Sequence, residues 1–246
     1  MSHFTVLVPA KDETELLDRL TPYYEYGCSA DMDERVKPYL KFEIDYTAEE
    51  VVDQAEAIRD DDTPPPDLTD AQVVVWAEGG DVDEAGNVGR WTNPNAKWDW
   101  YTVGGRWDGN VIPDNRAAAG IVRWDWKRKK QGIDAEKRYR AYHELLLQRT
   151  TEKMTEQEFN HALIDVAGLW KDPDLDTLTL NEYVAKHEAK APVFAFIDLD
   201  GQWHERGHMG WWAIVSDQQP DYDTEFWQFV KTLPADQILY LVDCHI

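Results

Sequence analysis

Cysteine, methionine and positive charge are all scarce in this 246-residue chain. With only two cysteines, Cys28 and Cys244, one disulfide is conceivable but no disulfide framework is. No apolar run approaches the roughly 20 residues of a membrane-spanning helix. The first ten residues, MSHFTVLVPA, carry a short apolar run without a basic flank or a cleavage site, so no secretory leader is predicted. These absences predict a cytoplasmic protein with free thiols and no membrane contact. The sequence has no P-loop, dinucleotide-binding fingerprint, serine-hydrolase elbow, kinase signature or CxxC pair.

Basic residues number 25 against 48 acidic ones, giving a net charge of -23. Such an excess repels a nucleic-acid backbone or an anionic bilayer, so no direct nucleic-acid backbone binding is expected. A solubilising surface, a high-salt host and imitation of nucleic-acid charge all fit it. The spread of acidic residues along the chain favours the first.

Tryptophan is abundant, with twelve in the chain, and 43% of residues are apolar. Trp supplies large apolar area and one N–H donor, which suits both a stiff core and flat stacking platforms. The length allows one large or two small domains, and we read a single domain over 1–246.

Periodicity predicts a buried strand at Phe4–Val8, a helix at Thr14–Tyr24 and a strand at Leu40–Tyr46. Thr47-Ala-Glu-Glu50 is a capping box that opens a helix to Ile58. The Asp60–Pro66 stretch ends it and reads as a linker. Val73–Trp76 reads as a strand and Glu78–Gly89 as a loop or hairpin tip. Asp81, Asp83 and Gly86 only faintly match a calcium loop, since Ala85 and Thr92 stand where ligands belong. Helices are predicted from Trp124 to Leu147, Met154 to Trp170 and Thr179 to Lys190. Trp124–Lys130, WDWKRKK, is the one dense basic cluster, read mainly as a solvated helix face. Strands at Val193–Leu199, Trp203–Met209 and Trp211–Val215, a helix at Asp223–Val230 and a strand at Ile238–Val242 follow, with a turn at Asp200-Gly201. The fold class expected is α+β with a mainly antiparallel sheet. Ferredoxin-like elements come from the two ends of the chain, and a helical insertion spans 115–190.

The chain is organised around Asn93–Gly109, NPNAKWDWYTVGGRWDG. It has neither helical nor clean alternating spacing, which favours a shaped binding surface over plain core. Trp98, Trp100, Tyr101 and Trp107 could stack on a flat ring. Arg106 offers a planar fork for phosphate or carboxylate. Gly104 and Gly105 could let backbone N–H groups face an anion. Asp99 could orient Arg106 or accept from a base or sugar. Stacking beside anion binding suits a nucleotide-like ligand.

The opening MSHFTVLV, the block NPNAKWDWYxxGGRW, the later DGxW…MGWW and the terminal VDCHI resemble an uncharacterised family found in bacteria and their phages. The shared blocks are unusual, stand in the same order and cover about a quarter of the chain. The resemblance implies a phage or mobile-element setting, in which a counter-defence role would fit. It implies no activity.

The chain ends give a second candidate. If the first and last strands are antiparallel neighbours, His3 lies near Asp243, Cys244 and His245. His3, Asp99 and His245 are then candidate acid–base groups, and His3, Cys244 and His245 weak candidate zinc ligands. Strand alternation works against Cys244 sharing a face with His3. No cofactor is otherwise indicated. His204-Glu205-Arg206-Gly207-His208 matches HExxH, a pattern that needs a helix, and the hairpin signal with Gly207 and Gly210 opposes one.

The favoured expectation is a small-molecule binding protein with a deep pocket lined by Trp98, Trp100, Arg106 and Trp107. The alternatives are an enzyme using His and Asp on a nucleotide-like or other anionic substrate, and an acidic interaction protein.

Overall fold

The computed structural model describes residues 2–25, 34–151, 154–167, 172–209 and 215–246. In chain order the elements are β1 (His3–Pro9), α1 (Glu13–Leu20), β2 (Lys41–Tyr46), α2 (Ala48–Asp61), α3 (Asp70–Glu78), β3 (Asp81–Val82), β4 (Val88–Thr92), β5 (Trp100–Val103) and β6 (Arg116–Ala118). There follow α4 (Trp124–Thr151), α5 (Glu156–Ala167), α6 (Asp174–Thr177), α7 (Leu180–Ala189), β7 (Ala195–Ile197), β8 (Trp203–Glu205), β9 (His208–Met209), β10 (Val215–Ser216), α8 (Tyr222–Thr232) and β11 (Ile238–His245). The architecture is α+β with a central helical segment. No helix among the described residues is long and apolar enough to cross a membrane.

The central sheet runs β5-β11-β1-β7-β8, and β6 pairs with the other end of β11. Every pairing in it is antiparallel except β1 with β7. The two ends of the chain therefore meet at its centre, as the ferredoxin-like reading expects. The β1·β7 pair departs from an all-antiparallel sheet. In β1 and β11 side chains alternate between two apolar layers. Phe4, Val6, Tyr240, Val242 and Cys244 face one layer, which includes α1. Leu7, Leu239 and Leu241 face the other, beneath Phe226 and Phe229 of α8.

A smaller core joins α2, α3 and the sheet β2-β4-β3 through Val51, Ala55, Val73 and Val88. Val73–Trp76, expected as a strand, is the body of α3. Its capping box, Thr69 with Gln72, holds the backbone N–H groups at the helix start and overrides the β-branched run. The Asp60–Pro66 stretch is not a linker between domains, because the two helices it joins share this core.

In the helical segment α4 packs against α7 around Ala135, Tyr142, Leu175 and Tyr183. Arg116–Ala118, expected inside the insertion, belongs to the central sheet instead. The expected strand from Trp203 to Met209 is divided: β8 extends the central sheet while β9 pairs with β10. Cys28 and residues 168–170 and 210–214, which fall within the expected elements and thiols, lie outside the described residues.

Burial, and then the charge of Asp243, push the Cys244 thiol well above its ordinary value. Burial likewise raises the Tyr222 phenol. Both groups keep their protons in the fold and lose them in the unfolded chain once the pH passes about 9–10. The folded state then binds more protons, so stability falls as pH rises. Urea midpoints should decline above that pH, and the decline should be shallower in Cys244→Ala. Equal alkaline slopes in the two proteins would contradict this assignment.

Candidate functional site

β11 runs three residues further than periodicity alone suggests, and this extension builds the site. His3 pairs with His245 across β1 and β11, and Trp100 pairs with His245 across β5 and β11. Asp243 stands opposite Thr5 on one side and Thr102 on the other. Strand alternation therefore places His3, Asp243, His245, Trp100 and Thr102 on one face. This polar end of the face lies beyond Leu241.

Two histidine–carboxylate pairs form there. His3 Nδ1 lies 3.0 Å from Asp243 Oδ1. His245 Nδ1 lies 2.6 Å from Asp99 Oδ1. The two imidazole centres are 5.0 Å apart at an interplanar angle of 71°, and the Trp100 ring stands edge-on to His3 at 6.4 Å. A carboxylate on Nδ1 favours the Nδ1–H tautomer and leaves Nε2 as the basic nitrogen. Both rings are thus set in the same sense.

Asp243 is 2% exposed. A carboxylate that deep is tolerated only with hydrogen-bonding partners. Its Oδ2 accepts the backbone N–H of Arg106 at 3.1 Å, while its Oδ1 faces His3. Gly105 makes room for this contact. A Cβ there would meet Asp243 Oδ2 at 2.5 Å, and φ is +55°. The Gly-Gly pair does present a backbone N–H to an anion, but the anion is the protein's own Asp243. Gly104 (φ +76°) is occupied differently, packed against the Asp108 and Asn115 side chains.

The four side chains expected to line a deep pocket do not converge. Trp98 is 4% exposed, packs in the α1-side layer and donates its indole N–H to the Leu20 carbonyl at 3.2 Å. Tyr101 half-buries against the same layer, edge-on to Trp98. Trp107 packs against the α8-side layer, where its indole N–H meets no acceptor among the described residues. Only Trp100, 53% exposed, and Arg106, also exposed, remain at the surface. Asp99 is committed to His245 rather than to Arg106. The four clefts described on the surface include none of these residues. At the histidine site the His3 and His245 side chains are 14% and 13% exposed.

The zinc set fails on strand alternation. Cys244 is buried in the opposite layer from His3 and His245. Among the described residues no group of three or more His, Cys, Asp or Glu is placed to hold a metal ion. The HExxH residues lie on β8 and β9. His204 stacks on Phe196 at 4.6 Å and bonds Asp198 at 3.0 Å, with no role for His208 beside it. The Asp83 loop is closed on itself, since Asp83 accepts from Ala85 and Asn87.

The Asp99–His245 contact escaped sequence reasoning. Its signal was the order Asp99-Trp100-Tyr101-Thr102 set against His245-Cys244-Asp243, which becomes visible once β5 is paired with β11. No protein-family model, no curated protein and no solved structure matches the chain.

Gly105→Ala should force Asp243 away from the Arg106 N–H. Left-handed strain plus the clash should cost about 2–4 kcal/mol. Chemical denaturation measures this, and a loss below about 1 kcal/mol would contradict the packing described.

Proposed function

We propose that the chain is an acid–base catalyst acting on an anionic, ring-bearing substrate of nucleotide-like character. His3 and His245 are the catalytic pair, and Asp243 and Asp99 are positioning residues. One observation carries this reading: two neighbouring imidazoles whose Nδ1 atoms both rest on carboxylates. A plain binding site needs no such duplication.

A phosphate ester illustrates the chemistry. One Nε2 takes a proton from the attacking hydroxyl or water, and the other imidazole, protonated, gives a proton to the departing oxygen. The ester bond to the leaving group breaks as the bond to the nucleophile forms. The two rings end the turnover with their proton states exchanged, and solvent restores them. Arg106 is exposed and has no carboxylate within ion-pair distance among the described residues, so its fork is free for the phosphate. The exposed indole of Trp100 offers a stacking face beside His3.

The test uses a panel of nucleoside phosphodiesters with the full chain, His3→Asn and His245→Asn. Each variant should lower kcat by about 100-fold or more. Asp243→Asn should lower kcat while leaving substrate affinity close to that of the parent. Parent-level turnover in either histidine variant, or no phosphodiester turnover by the parent protein, would overturn the reading.

A further inference from the structure

The only dense basic cluster in this acidic chain lies at the far end of β11 from the histidines. Residues 123–130 read RWDWKRKK, five cations in eight residues. β11 spans eight residues, and Ile238 at its other end pairs with Ala118, five residues before Arg123. At about 3.3 Å per residue the two ends of β11 are separated by about 20 Å. Nothing in the acid–base chemistry uses this region.

Three of the five cations are engaged within the fold, Lys130 among them through the Trp126 ring. Lys127 Nζ donates to the Asn110 carbonyl at 2.6 Å. Arg128 Nε donates to the Glu188 carbonyl at 3.1 Å, and its guanidinium lies 5.1 Å from the Trp227 ring centre. Arg123 and Lys129 do neither. Together with Lys231 from α8 they line one cleft of about 660 Å³. None of these three has a carboxylate within ion-pair distance among the described residues, although acidic residues outnumber basic ones nearly two to one. Asp125, exposed in the first turn of α4, is the one acidic residue on the cleft wall.

The cleft also carries aromatic surface. Trp126 is 48% exposed, with the Lys127 and Lys130 ammonium groups 5.4 Å and 5.7 Å from its ring centre. Trp124 is held edge-on by Phe226 and Trp227 and so forms a fixed wall.

We propose that this cleft is a second binding site, for a small phosphate-bearing ligand with a planar ring, such as a nucleoside diphosphate. Arg123, Lys129 and Lys231 take the phosphates, and Trp126 takes the ring. The volume falls within the range of small-molecule sites. The charge of -23 disfavours a long polyanion or an anionic membrane, either of which would bring acidic surface close to its own charge. A compact ligand engages the local cations alone.

Isothermal titration with ADP, pyrophosphate, adenosine and a single-stranded oligonucleotide tests this. The parent protein should bind one ADP, pyrophosphate more weakly and adenosine weakest. Trp126→Ala should weaken ADP about tenfold and leave pyrophosphate unchanged. Lys129→Ala with Lys231→Ala should weaken both by about tenfold or more. His3→Asn and His245→Asn should leave unchanged the ADP affinity that Trp126→Ala and the double lysine variant reduce, so this site and the acid–base reading stand or fall separately. Absence of saturable ADP binding up to about 1 mM would overturn the proposal. So would ADP affinity indifferent to both cleft variants, or an oligonucleotide bound more tightly than ADP.

Discussion

Asp243 is the point at which the two ends of the chain and its central block are tied together. Its buried carboxylate touches His3 from the first strand and the Arg106 backbone from the segment after β5, while its own strand is the last. A carboxylate denied water by its neighbours must be met by donors, and losing one of them costs several kcal/mol. The geometry of the histidine pair follows from that requirement. Gly105 leaves room for the carboxylate, the Arg106 N–H anchors one oxygen, and the other oxygen is left to orient His3.

The same strand serves two ends of the molecule. One end of β11 presents His245 and Asp243 beside β1 and β5, and the other receives β6, which leads into the basic start of α4. Between them Leu239 and Leu241 are sealed under α8, so the polar chemistry is confined to the ends of an apolar strip. The α2–α3 unit and the α4–α7 unit bury separate cores of their own. The α2–α3 unit adds acidic surface and the α4–α7 unit carries the basic cluster, and neither contributes to the histidine face.

Much of the framework was legible in the sequence because it rests on local rules. The capping box at Thr47 and the helix expected from Thr179 mark helix starts that the structure reproduces, and the apolar runs at Phe4 and Ile238 become the central strands. Val73–Trp76 misled because four β-branched and aromatic residues outweighed a Thr69–Gln72 capping pair set just upstream. The tryptophans of the central block are divided, with Trp98 and Trp107 in different apolar layers and Trp100 exposed. A sequence read without strand pairing gives no means of assigning Trp98 to one face and Trp100 to the other. Asp99, read as orienting Arg106, accepting from a base or sugar, or serving as an acid–base group, has its partner 146 positions away, a distance only sheet register can bridge. The zinc idea at Cys244 fails on the alternation that also puts His3 and His245 together.

The most direct test of this arrangement is the tautomer of the two imidazoles, read from nitrogen-15 chemical shifts and two- and three-bond couplings of the neutral rings. The account predicts the Nδ1–H form at both His3 and His245, with His3 alone losing that preference in Asp243→Ala. Nε2–H tautomers at these positions in the parent protein would mean that the carboxylates do not orient the rings, and the acid–base pair would have no structural basis.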